Sequence, residues 1–233
     1  MRLLIGLLLL FILPGAIWTF WDGFSAIASS AETWKPMAAG FAVGVLLCRR
    51  LSRFLLLKVF GHEAAHALMS MLFLRRIKRF VVTRQGGYIQ YTGGAGGALG
   101  DHMIGLAPYF FPILVLCVAL TRPVFQPPWL TFCYALTGIA FACHVWGVAD
   151  NIRHAWHKES FCLAGTGTPA LSDIGKRGYV FSGLMIATMN FLFCGLVFSL
   201  LADGYSGLLH FLASVLIKSV GFYWPIYFII PMP

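Results

Sequence analysis

Residues 62–66 read His62-Glu63-Ala64-Ala65-His66. Positions four apart share one face of an α-helix, so these two imidazoles can turn toward one cation. Glu63 stands beside them, a carboxylate placed to activate water. Two His ligands with an adjacent Glu base make the zinc-hydrolase pattern. The chain has only seven His in 233 residues, so the spacing is a specific signal. Glu63 also sits in a long apolar run, where a carboxylate is costly without a partner or a task. The bland alternative is a pair of helix histidines bonded to neighbours, and the metal reading is preferred to it.

A catalytic zinc usually takes three protein ligands and keeps its fourth position open. Asp22, Glu32 and Asp203 lie in connections far from the motif. Asp101, Asp150, Glu159 and Asp173 remain, with His102 and His144 as imidazole alternatives. Asp173 ranks first. It lies in Pro169-Ala170-Leu171-Ser172-Asp173-Ile174-Gly175, just ahead of an apolar span, from whose opening a carboxylate could reach the metal. The competing role is helix capping by Ser172 or Asp173. Asp150 ranks second, because Asp150-Asn151 ends a span at a similar depth, and His144 ranks third. Asn190 and Asn151 are candidate donors to a substrate or oxyanion.

The elements that must position these groups follow from composition. The chain is 59% hydrophobic and 11% charged, with a mean hydropathy of +0.82. A soluble domain carries about 25% charged residues. The expected fold is an all-α polytopic membrane protein, since spanning segments in lipid satisfy their own backbone, and the apolar runs are too long and unbroken for a barrel. The net charge of +9 comes from short basic clusters between apolar runs, which suits membrane-surface loops and not nucleic acid. Cys48, Cys117, Cys133, Cys143 and Cys194 lie in or at the ends of apolar runs without Cys-x-x-Cys spacing, so neither a disulfide framework nor a thiolate zinc site is expected.

Six or seven membrane segments are expected, in one membrane-embedded domain over 1–233. The run at 1–20 reads as a retained first span and 21–35 as a polar connection. The run at 36–48 is short for a span, since about 20 residues are needed. The metal-site helix is expected over 53–74. A short β-hairpin follows, with strands at 80–83 and 88–92 about Gln85-Gly86-Gly87, then a Gly93–Gly97 link. A hairpin edge beside such a site could pair with an extended substrate, although an ordinary surface hairpin reads equally well. Segments follow at 99–120, kinked at Pro108 and Pro112, at 129–148, 179–201 and 207–230. The stretch 149–177 reads as the longest polar connection. Basic clusters near Arg49, Arg75 and Arg153 cannot all lie on one side of a simple serpentine.

These residues resemble the site-2 protease family of intramembrane zinc metalloproteases. Three features carry the resemblance: Gly61-His62-Glu63-Ala64-Ala65-His66-Ala67-Leu68 on an apolar helix, a short glycine-containing strand pair, and a later Asp before a C-terminal span in Ser172-Asp173-Ile174-Gly175-Lys176-Arg177-Gly178. The resemblance covers roughly residues 53–200. It implies a Zn2+ ion held by His62, His66 and Asp173, with Glu63 as the base. Typical members carry that Asp in an Asn-Pro-x-x-Asp-Gly type sequence, which is absent here.

The expected activity is hydrolysis of peptide bonds within or near the membrane, as in regulated intramembrane proteolysis. Partners would be a membrane-protein or peptide substrate, the lipid bilayer and a regulatory membrane protein, with no nucleic acid. The expected location is the bacterial inner (cell) membrane, and the few charges suggest a minimal catalytic core. The alternative is a non-catalytic metal-binding transporter or scaffold, including an inactive protease relative. A transporter would place ionisable groups on several spans, whereas here they gather about one helix and one loop.

Overall fold

The computed structural model describes residues 1–51, 55–84, 86–126, 129–163 and 172–227, without the side chains of 123, 157–163 and 224–227. The expected hairpin-turn residue Gln85, the Pro127-Pro128 turn, the side chain of Glu159 and the end of the last span lie outside this description.

Apolar runs become helices, and most helices outlast their apolar run. Helix α1 (Arg2–Ala28) continues through Asp22, and α2 (Ala31–Leu51) begins at once after it. The expected polar connection at 21–35 is therefore mostly helix. Helix α3 (Leu55–Leu72) carries the His-Glu-x-x-His motif. Its end is set by backbone hydrogen bonds from Leu74 to Met71 and from Arg75 to Ser70, both 2.9 Å, with Leu74 left-handed at φ 55°. That pair of bonds is a Schellman cap, and it turns the chain from the helix into a strand.

Strand β1 (Arg76–Thr83) pairs antiparallel with β2 (Gly86–Thr92). Both strands start earlier than expected, so the basic cluster of 75–79 is largely strand and not loop. Phe60 of α3 meets Phe80 of β1 edge-on at 5.8 Å between ring centres, which fastens the hairpin to the metal-site helix.

Helix α4 (Gly97–Leu106), a 3-10 turn at Ala107–Tyr109 and α5 (Ile113–Thr121) follow. The expected kink at Pro108 and Pro112 is a bend of 87°, far sharper than a curved helix, because neither proline supplies a backbone N–H. Helix α6 (Trp129–Leu163) runs well past the apolar segment; the expected polar connection begins as helix. Helix α7 (Asp173–Arg177) is a single turn, then come α8 (Tyr179–Asp203) and α9 (Tyr205–Tyr227).

Among the described residues four helices, α1, α6 (to Trp156), α8 and α9, are long and apolar enough to cross a membrane, or five segments if the bent pair counts as one span. That is fewer than the six or seven expected from the sequence. The difference falls on α2 and α3. Helix α3 has the length, but Lys58, His62, Glu63 and His66 lower its apolarity.

Close helix approaches hold the bundle. A Cβ on Gly40 of α2 would run into the Ala135 carbonyl of α6, and one on Gly138 of α6 would run into the Met37 carbonyl of α2. Small residues permit that backbone proximity in apolar surroundings. Helix α1 lies against α8 and α9, with Lys218 of α9 paired to Asp22 of α1. A second cluster of buried side chains, among them Ala65, Met69, Ile104, Leu106, Phe110 and Met185, packs α3 against α4, the 3-10 turn and α8. This packing fixes the floor of the site.

Candidate metal centre

On α3, His62 and His66 do share a face. Their Nε2 atoms lie 3.2 Å apart. Each Nε2 lies 3.7 Å from Oδ2 of Asp173. Among the described residues these three form the group of His, Cys, Asp or Glu whose ligand atoms lie within 4.8 Å of one another. With metal bonds of about 2.0–2.2 Å, the edge of a zinc tetrahedron is about 3.3–3.6 Å. The triangle therefore fits one small divalent cation, with an apex left for a fourth ligand.

The outer nitrogens fix the tautomers. Nδ1 of His66 is 2.6 Å from the Ile104 carbonyl oxygen. A carbonyl only accepts, so Nδ1–H donates, and the Nε2 lone pair of the neutral ring points to the triangle. Nδ1 of His62 is 3.2 Å from Oδ1 of Asn151, and Asn151 is itself oriented by donating from Nδ2 to the Pro108 carbonyl at 2.9 Å. Ligand histidines usually have such an outer partner. The partners come from the bent segment and α6, so the fold itself aims both imidazoles at one point.

Asp173 opens α7. The capping alternative falls to its neighbour: Ser172 Oγ accepts from the Gly175 N–H at 3.1 Å. That leaves the Asp173 carboxylate to face the histidines. Arg177 secures the turn by donating to the backbone carbonyls of Asp173 at 3.1 Å and Asp101 at 3.2 Å. Its guanidinium fills the space that a side chain at Gly105 would take. Burial would raise the Asp173 carboxyl, but the adjoining imidazoles of His62 and His66 and the ammonium of Lys176 outweigh it and hold the group below the usual carboxylate range.

Glu63 is 7% exposed and lines the same cavity, of about 590 Å³, with His62, His66 and Asp173. Strand β2 closes over it. A Cβ at Gly87 would come within 2.6 Å of Glu63 Cγ and 2.7 Å of the Val81 carbonyl, so only glycine lets the strand lie this close.

The other candidates are engaged by other partners, Asp150 at the margin of the same cavity. Asp150 pairs with Lys58 at 2.9 Å, and Asp101 with Arg75 at 2.7 Å. His102 packs against Phe181, 4.8 Å between ring centres. Nε2 of His144 bonds Oδ1 of Asn190 at 2.9 Å. Asn190 also donates to the carbonyls of Tyr109 and Ile186, a bridge between α8, α6 and the bend, away from the three-residue group. Asn151 reaches the site, but its amide is engaged in orienting His62. Capping by Ser172 was legible in the sequence, whereas the Ile104 carbonyl, the close approach at Gly87 and the role of Arg177 were not; a backbone carbonyl leaves no residue signature.

The model of the Peptidase M50B-like family matches residues 36–164, more than half of the chain. The matched stretch contains His62, Glu63, His66 and Asn151, and it stops short of Asp173. No curated protein and no solved structure matches the chain. The chain belongs to the Peptidase M50B-like family, which supports the site-2 protease relationship read from its residues.

Proposed function

We propose that this integral membrane member of the peptidase family is a zinc-dependent endopeptidase acting on membrane-protein or peptide substrates within or beside the bilayer. One observation carries the reading. Two imidazole Nε2 atoms and a carboxylate oxygen converge within 4.8 Å, with Glu63 in the same cavity. His62, His66 and Asp173 would hold the ion. Zinc, when bound, supplies Lewis-acid polarisation of the scissile carbonyl and a lowered pKa for water.

The protein side chains do the rest. Glu63 takes a proton from the attacking water and passes it to the leaving amine. Asn151 and the Ile104 carbonyl hold the two rings in place. Residues Gly86–Ile89 and Tyr91 of β2 line the cavity, and in this two-stranded sheet one edge of β2 has no strand partner among the described residues. That edge offers N–H and C=O groups to an extended substrate segment. A helical substrate must unwind locally to use it.

Glu63→Gln tests the assignment. The variant is expected to retain metal and insertion while cleavage of a single-span reporter falls about 10²–10⁴-fold. Cleavage at the parental rate would refute the role given to Glu63. A parental protein that holds zinc and cleaves no reporter in a broad panel would favour an inactive relative.

A further inference from the structure

The hairpin has a second face that the site does not use. Residues 87, 89 and 91 of β2 are half-buried toward the site, while Tyr88, Gln90 and Thr92 are exposed. Arg79 pairs across from Gln90, and Arg76 across from Thr92. Residues three apart on a regular strand point to opposite faces. Here the register shift between Ile77 and Arg79 puts both arginines on the outward face, as bulges do when they re-aim a side chain. Lys78 sits within the shift and Arg84 at the turn, both exposed.

No acidic residue occurs between Glu63 and Asp101. Asp101 is engaged by Arg75, and among the described residues Arg76, Lys78, Arg79 and Arg84 have no ion-pair partner. Exposed Tyr88 lies on the same face, with Met71, Leu72 and Leu74 exposed at the adjoining end of α3. Cations beside exposed aromatic and aliphatic groups form the signature of the membrane interface. Charges that only set topology need to lie on one side of the membrane. They do not need alignment on one sheet face free of acids.

We propose that the outward face of the β1–β2 hairpin docks on anionic phospholipid headgroups of the membrane that holds the protein. Charge complementarity selects the occupant. An acidic substrate segment is the less suited partner, because the cations lie on β1 and at the turn, whereas β2 supplies the strand residues lining the cavity. Docking would also steady β2, whose inner face roofs that cavity.

The test compares full-length protein in nanodiscs of phosphatidylcholine alone and in discs that also contain phosphatidylglycerol. Hydrogen exchange across residues 76–92 is the readout, so it is independent of protease activity. Exchange is expected to be slower in the anionic discs, and the difference to vanish at high salt. Each neutralised cation should weaken the association about fivefold. The combined Arg76→Gln, Lys78→Gln, Arg79→Gln and Arg84→Gln variant should lose the effect with its zinc content unchanged. Because removing four cations can alter topology, Arg76→Gln and Arg79→Gln are also measured singly and should each reduce it in part. Equal exchange in both discs, an effect that survives neutralisation, or protection by an acidic peptide in phosphatidylcholine discs would overturn the proposal.

Discussion

His62 and His66 offer their Nε2 atoms because other atoms hold their Nδ1 atoms. The motif itself was legible in the sequence, since i and i+4 spacing is a property of any helix. What the motif could not reveal is the outer partner. Asn151 read as a donor for substrate, and the structure engages it with His62 at 3.2 Å. Replacement by Ala leaves that ring free to swing, so Asn151→Ala is expected to weaken zinc binding about 10–100-fold, measured by competition with a chromogenic chelator. Unchanged affinity would mean that packing alone orients the ring. Gly87 supplies a second residue-scale expectation. Gly87→Val forces β2 away from Glu63 and should lower the rate of cleavage while zinc affinity holds. An equal loss of both would show a general collapse of the site.

Elements were read more securely in kind than in extent. The apolar run ending near Val148 predicted a span, yet α6 continues to Leu163. It does so because Asp150, Asn151, His154 and Ala155 follow helical spacing and line the cavity, a polar face that resembles a loop when read by hydropathy. The hairpin was visible from its β-branched and aromatic residues about two glycines. Its early start in the basic cluster was hidden, because arginine and lysine carry little strand signal. The α3 cap, which launches the hairpin, uses Leu74 in a left-handed conformation. That conformation costs a non-glycine residue about 1–2 kcal/mol. Leu74→Gly, part of whose gain is lost to the freer unfolded chain, should stabilise the protein by about 1 kcal/mol and raise its thermal midpoint in detergent. A lowered midpoint would mean that the exposed Leu74 side chain contributes more than its backbone costs.

At the scale of the molecule, the site is assembled from three separated pieces. Helix α3 brings the histidines and Glu63, α6 with the bent segment orients them, and α7 brings Asp173. The membrane class was plain from hydropathy, whereas the number of crossings was not, because the polar residues of the candidate site dilute the apolarity of the helix carrying them. Asp173 was the site residue least legible in the sequence. Asp150 and Asp173 stand in similar sequence settings, and only the packing separates them: one faces Lys58 at 2.9 Å, the other two imidazoles at 3.7 Å. Zinc stoichiometry of purified Asp173→Ala and Asp150→Ala, against the parental chain, therefore tests the central claim most directly. The expected result is one zinc per parental chain, loss of that zinc in Asp173→Ala and its retention in Asp150→Ala. Retention of stoichiometric zinc by Asp173→Ala, or its loss only from Asp150→Ala, would contradict it.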